Sequence, residues 1–436
     1  MDNPLFYVRA LHFAATVSVA GVVFFIVGIS EPALRSAADD MRGALVVRSR
    51  LAWIAWISLV VVLLSGVPWL VLTAESMSGQ PLGALSHGVL WIVLSQTDFG
   101  NNWLLRFVVA CLLGGLFVHF LSAKGVTSLW LKTATVLLAA TLVGTFAFAG
   151  HAIGGEGVEG IIHPSADVLH LIAAAAWVGA LVPLALLLAT AGADAASLAI
   201  ARIATRRFST LGIISVATLL LTGIVNSWYL VGSVSALTAT VYGQLLLFKL
   251  ALFAVMVGIA AVNWSILTPR LVQNADVTGA QRARRQLRRN TAIEAATGTV
   301  IIVIVAVLGT LPPASHAHHE ASGAIPADAS FQHIHTEDGM ADVTIEPGHV
   351  GIANVTIHLW DTDGNKLDAR QVTLTLSPQS AGAQSITRPA LQDADGLWHV
   401  ERLKLLQPGD WTVTVNAMLG PDKRIVLTAP IVIDAK

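Results

Sequence analysis

The chain has 436 residues, of which 55% are apolar and only 12% are charged, and its mean hydropathy is +0.70. Soluble proteins carry about 25% charged residues, so this composition excludes an ordinary soluble protein and indicates a membrane protein. A formal net charge of -1 argues against nucleic acid as a partner. The single cysteine, Cys111, excludes an internal disulfide framework and any Cys-x-x-Cys metal or redox motif.

Eight apolar segments are long enough to cross a bilayer as helices, which takes about 20 residues each. They cover residues 5–29, 51–73, 103–123, 129–150, 164–190, 208–232, 243–268 and 290–311. The first is not expected to be a cleaved signal peptide, because it lacks a basic start and seven more spans follow. A ninth apolar run, Leu82 to Leu94, is too short to span and predicts an interfacial or re-entrant helix.

The distribution of Lys and Arg among the loops predicts the orientation of these spans. Basic residues follow spans one, three, five and seven, whereas the loops 74–102, 151–163 and 233–242 contain none. Because basic loops stay on the cytoplasmic side, both termini are predicted to face outward. In a Gram-negative bacterium this predicts an inner-membrane protein whose two termini are periplasmic.

The composition changes after the last span. Residues 314–339 are rich in Ala, Ser and His and predict a flexible tether. From about residue 340 the apolar residues alternate with a period of two, and six or seven short strands are separated by turn signals. The predicted fold is therefore an all-α polytopic membrane bundle of eight transmembrane helices (1–313), a His-rich linker (314–339) and a small antiparallel β-sandwich, Ig-like, outer domain (340–436).

Ionisable and amide side chains inside the spans fall into two layers, and such residues are functional candidates by default. The rise of 1.5 Å per residue gives each one a depth in the membrane. The larger layer, in the outer half, consists of His12, His151, His163, Asp167, His170, Asn226 and Lys249. Within it, His163, Asp167 and His170 are spaced i, i+4, i+7, which predicts one helical face. Lys249 is expected either to neutralise Asp167 or to extend to the outer surface.

A thinner layer lies toward the cytoplasmic side. It contains His119, Asn263 and Glu294. Glu294 and Asn263 are expected to form a structural hydrogen-bonded pair, with an inner gate as the alternative.

The outer layer predicts a metal-entry site, because imidazoles with carboxylates suit divalent copper, zinc or nickel. The acidic loop 151–163 would concentrate cations at the same mouth. The tether could gather metal for this mouth with its histidines His316, His318, His319, His333 and His335. The alternative is that the intramembrane histidines only form hydrogen bonds between helices.

The outer domain offers further candidate ligands in Met340, His349, His358 and His399. His358 lies on a predicted strand, where an ordinary solvated position is the favoured interpretation.

The sequence contains no Walker motif, no Asp-Lys-Thr-Gly phosphorylation loop, no His-Glu-x-x-His and no Gly-x-Ser-x-Gly. The chain is therefore expected not to be an enzyme. Any solute that it transports would move down a gradient or together with a coupling ion. A membrane haem or redox protein, with His12 and His170 as axial ligands, is an alternative. A copper-binding sensor or assembly scaffold without transport is another.

Residues 1–314 resemble the CopD copper resistance and copper import family. The resemblance rests on the order and spacing of several motifs: Leu11-His12, His151 through His170 with Trp177-Val178-Gly179, Arg207-Phe208-Ser209, Thr222-Gly223 with Asn226, Lys249, Asn263, Glu294, and the closing Leu311-Pro-Pro-Ala314. One departure is Trp264, where the family pattern has a basic residue. The resemblance implies an inner-membrane protein that handles copper ions through His12, His151, His163 and His170.

The outer domain is similar to the YtkA-like domain. The likeness rests on Gly364, Ala394-Asp-Gly-Leu-Trp398 and Pro408-Gly-Asp-Trp411. The CopD resemblance implies a periplasmic copper-binding partner of the CopC type, and a fused outer domain would take the place of such a separate chaperone.

Overall fold

The computed structural model describes most of the chain. The described residues are 4–35, 41–78, 87–121, 128–148, 159–190, 194–231, 236–273, 277–311, 328–336, 339–361, 366–378, 385–393, 396–420 and 423–435. The chain divides into two compact units, Met1–His318 and His319–Lys436. The first unit is helical and the second is built from strands, which confirms the predicted fold class.

The helices of the first unit account for all eight predicted spans. They are α1 (Pro4–Phe25), α2 (Glu31–Arg35), α3 (Met41–Ser78), α4 (His87–Gln96), α5 (Asp98–Phe120), α6 (Leu129–Gly144), α7 (Glu159–Thr190), α8 (Ala195–Val231), α9 (Ala236–Ala239), α10 (Val241–Val262), α11 (Thr268–Gln273) and α12 (Val277–Leu308). Within the described residues, eight helical segments are long and apolar enough to cross a membrane. Helix α4 overlaps the run Leu82 to Leu94, which was predicted to be interfacial or re-entrant, and extends to Gln96.

Three helices begin well before their predicted spans. Helix α3 begins at Met41, α8 at Ala195 and α12 at Val277, each on the side where the loops carry Arg residues. Hydropathy detects only the apolar part of a helix, whereas arginine is a good helix former that extends the same rod into water. The predicted spans are therefore the apolar portions of longer helices.

A glycine pair brings α1 and α7 into backbone contact. A Cβ atom added to Gly21 would overlap the backbone of Gly179, and one added to Gly179 would overlap the carbonyl of Val17. Small residues of this kind let membrane helices approach closely, because lipid tails supply no hydrophobic drive for association. Trp177, on the same helix, is 1% exposed and belongs to the buried core around this contact.

The second unit is one eight-stranded antiparallel sheet. Its strands are β1 (Ser330–Thr336), β2 (Gly339–Glu346), β3 (Gly351–Trp360), β4 (Gln371–Pro378), β5 (Ile386–Gln392), β6 (Trp398–Leu405), β7 (Gly409–Met418) and β8 (Arg424–Ile433). Their order in the sheet is β1-β2-β3-β6-β5-β4-β7-β8. The two ends of the sheet meet, since the Ser330 hydroxyl donates to the Val432 carbonyl at 2.7 Å. The sheet therefore closes around its apolar core like a barrel or sandwich.

Two strands were not predicted from the sequence. Strand β1 lies within residues 314–339, which were predicted to be linker, and β5 lies in a stretch without a clear apolar alternation. In β1 only Phe331 and Ile334 are strongly apolar, so the period-two signal is weak. Pairing with β2 defines the strand, and the β structure begins earlier than residue 340.

Candidate functional site

Helices α7, α8 and α10 bring together most of the outer layer. His163, Asp167 and His170 share one face of α7, as their spacing predicted. The Asn226 amide of α8 donates to Asp167 Oδ1 at 3.1 Å. His163 and the Lys249 ammonium of α10 both interact electrostatically with the Asp167 carboxylate. These five residues are named the α7 cluster below.

The hydrogen bonds of His170 indicate its protonation pattern. The Thr222 hydroxyl donates its only proton to the Thr218 carbonyl at 2.6 Å. The same hydroxyl oxygen lies 2.9 Å from His170 Nδ1. Because its own proton is already donated, it must accept a hydrogen bond from Nδ1, and Nδ1 therefore carries the ring proton. In the neutral ring this leaves the Nε2 lone pair of His170 unprotonated, and no described residue donates a hydrogen bond to it. This is the form of imidazole that binds metal ions.

His12 lies in a different cluster, formed by α1, α3, α5 and the turn after α6. The Arg106 guanidinium, which can only donate, contacts His12 Nε2 at 2.8 Å. His12 Nδ1 therefore carries the proton and donates to the Ser65 hydroxyl at 2.9 Å, which in turn donates to the Val61 carbonyl. Both ring nitrogens are occupied, and His12 is only 3% exposed.

Arg106 is the centre of this second cluster, named the Arg106 cluster below. Its guanidinium also donates to the Thr145 hydroxyl at 2.9 Å and lies 3.8 Å from the centroid of the Phe146 ring and 5.4 Å from that of Trp69. The side chain is 4% exposed. Aromatic faces and neutral acceptors thus surround a buried cation, which is the environment of a structural arginine.

The glycine contact between α1 and α7 sets the levels of the two clusters. His12 lies nine residues before Gly21, and His170 lies nine residues before Gly179. The two helices run in the same direction. By the helical rise, both histidines therefore lie about 13 Å from the contact, toward the N-terminal ends of their helices. Both histidines therefore lie at one level along the packed helices, but their hydrogen bonds are made in separate clusters.

Several predicted ligands lie outside the residues that the structure describes. They are His151, His316, His318 and His319. For His333 and His335 the structure describes the backbone, in strand β1. Among the described side chains, no group of three or more His, Cys, Asp or Glu residues is arranged to hold a metal ion. Convergence of the predicted histidines in one pocket therefore remains a prediction.

The inner layer contains the predicted pair. The Asn263 amide donates to Glu294 Oε1 at 2.6 Å, and the Asn290 amide donates to Asn263 Oδ1 at 2.8 Å. Glu294 is 1% exposed, and its Oε2 has no hydrogen-bond partner among the described residues. Asn263 begins a π-helical turn, Asn263–Leu267, in which the Thr268 hydroxyl donates to the Asn263 carbonyl at 2.8 Å. The hydrogen-bonded pair is confirmed.

Two arginines inside the spans were missed by the sequence reasoning. Arg106 holds His12, and Arg9 donates to the Gly309 carbonyl at 2.8 Å, which joins α1 to the end of α12. Each is a lone charge within an apolar segment, and this signal was visible in the sequence. Basic residues were counted only in the loops, so neither arginine was considered.

Comparisons with known proteins agree with this architecture. The family model for copper resistance protein D matches residues 202–308, and the model for the copper resistance protein D-like N-terminal domain matches residues 1–161. "Copper resistance protein D" of Pseudomonas syringae pv. tomato is 35% identical over 258 residues, which are 58% of this chain and 80% of that protein. The chain belongs to the copper resistance protein D (CopD) family.

Two further relatives extend the comparison. "Inner membrane protein YebZ" of Escherichia coli is 34% identical over 56% of this CopD-family chain and 82% of its own length. "Copper transport protein CutJ" of Bacillus subtilis is 26% identical over 77% of this chain and 59% of its own length. No solved structure matches the chain significantly. The resemblance to the CopD family is thus confirmed, and the chain is a copper-related, multi-pass membrane protein.

Proposed function

We propose that this CopD-family protein captures copper ions on the outer face of the inner membrane and passes them into or across it, with both termini in the periplasm. Copper is the substrate in this proposal, not a resident cofactor. The observation that carries it is the α7 cluster, where His170 presents an unprotonated nitrogen three residues from the Asp167 carboxylate. Imidazole with carboxylate suits divalent copper, zinc or nickel, and the family match favours copper among them.

The ligand roles in this proposal differ between the two histidines at the same depth. His170, His163 and Asp167 are the entry ligands, and His151 with the tether histidines His316, His318 and His319 would supply metal from the outer side. Copper binding to His12 would require the Arg106 guanidinium to leave Nε2, and this buried cation would then lose a hydrogen-bond partner. His12 therefore has a structural role.

The same observation separates copper from the haem alternative. An axial ligand needs a ring nitrogen with a free lone pair, and in His12 that lone pair accepts from Arg106. The geometry of the Arg106 cluster thus favours copper handling over a His12–His170 haem pair. The absorption spectrum of the purified protein is expected to lack a Soret band, and its presence would reverse this preference.

Copper uptake into proteoliposomes tests the proposal. Purified protein is reconstituted, copper is added outside, and luminal copper is followed with a chelating dye, while elemental analysis gives bound copper. His170→Ala and Asp167→Asn are expected to reduce uptake at least about tenfold, because each removes an entry ligand. His119→Ala, a histidine at the other end of the bundle, is the matched control and should keep wild-type uptake.

Two outcomes would contradict this function. Wild-type uptake by His170→Ala would remove the α7 cluster from the path of copper. Copper binding by the wild-type protein without any uptake would favour the sensor or scaffold alternative.

A further inference from the structure

The register of the outer domain aligns metal-binding residue types across three neighbouring strands. His333 of β1 lies directly opposite Asp342 of β2, which lies directly opposite His358 of β3. Directly opposite residues of antiparallel strands share one face and have Cβ atoms about 5 Å apart. The sequence alone does not show this row, because its members are separated along the chain by nine and sixteen residues.

A second row lies beside the first on the same face. His335 is opposite Met340, and Met340 is opposite Trp360. Each residue is two positions along its strand from a member of the first row, and side chains at i and i+2 point to the same side of a sheet. His358, Asp342 and Met340 therefore share a small area of the sheet, and the backbone positions of His333 and His335 lie on the adjacent strand.

This area lies on the face that points away from the apolar core. The core side chains of β2 and β3 are the alternate residues, such as Val343 and Ile357. On the opposite face Asp342 is nevertheless only 8% exposed and Met340 only 5% exposed. A carboxylate and a thioether with so little exposure, on the strand next to His358, do not belong to an ordinary solvated strand surface.

A cavity of about 190 Å³ lies beside this part of the sheet, at His358. Its lining includes His358, Trp360 and Lys366. The His358 and Trp360 rings are in edge contact, with centroids 4.9 Å apart. The Lys366 ammonium lies beside Gly396. A bound cation could therefore be reached from solvent at His358, and it would lie close to an indole that reports on it.

We infer that this face of β2 and β3 is a copper-binding site of the outer domain, with His358 and Asp342 as ligands and Met340 beside them; on the neighbouring strand β1, histidines occupy the register positions 333 and 335. Imidazole and carboxylate suit divalent copper, and the thioether suits monovalent copper, so the set accepts both oxidation states. The choice of copper rests on the proposed function. The site itself rests on the strand register and is independent of the helical unit.

Fluorescence of the full-length protein in detergent tests the site. Divalent copper quenches a nearby indole, so titration with copper sulfate should quench a component of the emission that Trp360→Phe removes. The titrations are made with His316, His318 and His319 replaced by Ala, so that the tether does not compete for copper. Asp342→Asn and His358→Asn are expected to weaken the quenching at least about tenfold in copper concentration.

His349→Asn is the matched control. Its Nδ1 lies 3.1 Å from the Val350 carbonyl, and it belongs to neither row. It should titrate like the parent, and near-ultraviolet circular dichroism should show that all variants keep the folded domain. Parent-like quenching in both Asp342→Asn and His358→Asn, with the fold intact, would overturn the site.

The same variants separate this inference from the proposed function. Loss of uptake in proteoliposomes with normal Trp360 quenching would contradict transport and leave the site standing. Normal uptake at saturating copper, together with no Trp360-dependent quenching, would contradict the site and leave transport standing.

Discussion

His12 of the Arg106 cluster and His170 of the α7 cluster lie at one level on two helices in contact, α1 and α7, and the Nδ1 of each donates to a hydroxyl. They differ at the other nitrogen. In His12 an arginine donates to Nε2, whereas in His170 no described residue does. The comparison teaches that depth and residue type do not make a histidine a ligand. The partner of its second nitrogen decides whether it holds helices together or is able to bind an ion.

The largest effect on folding is expected from a substitution that disrupts the contact between Gly21 and Gly179, which sets both histidines at one level. Gly179→Val places a branched side chain against the Val17 carbonyl and the Gly21 backbone, which cannot move aside as a flexible side chain can. We expect little folded protein in the membrane, measured by size-exclusion chromatography and thermal unfolding in detergent. Gly115→Val, at a position with open space around it, is the control and should fold normally. Normal folding of Gly179→Val would show that the clusters are positioned independently of this contact.

A smaller loss of stability is expected when the Arg106 guanidinium is removed. Arg106→Leu leaves His12 Nε2 and the Thr145 hydroxyl without their donor and removes the contact with Phe146, at a cost of roughly 3 kcal/mol in unfolding free energy. Thermal unfolding in detergent measures the loss. Arg106→Lys should lie between the leucine variant and wild type, because an ammonium lacks the planar fork. If Arg106→Leu is as stable as wild type, the cluster is not structural.

The smallest effect on stability, and the sharpest test of the comparison, is expected from Thr222. Thr222→Val keeps the shape of the side chain but removes the oxygen that holds the proton on His170 Nδ1. We expect stability within about 1 kcal/mol of wild type and copper binding at the α7 cluster weakened about tenfold. Thr222→Ser should restore binding, since it restores the acceptor. Unchanged affinity in Thr222→Val would mean that the tautomer of His170 does not matter for copper.

The sequence determined most of the fold because the physical signals are local. A helix needs about 20 consecutive apolar residues to cross a bilayer, so each span can be recognised from its own segment of the sequence. The alternation of apolar residues in β3 and β7 marks strands in the same way. Weak alternation in β1 and β5 left no such signal, and only their neighbours in the sheet define them.

The site was determined only in part by the sequence. The spacing of His163, Asp167 and His170 predicts one helical face because it depends on one helix alone. The separation of His12 from His170 depends on Arg106 and Thr222, which come from other helices. The row through Asp342 and His358 depends likewise on strand register. Periodicity acts within one segment, whereas partners across segments exist only after the chain has packed, so only the tertiary structure decided which histidines are held and which are open to an ion.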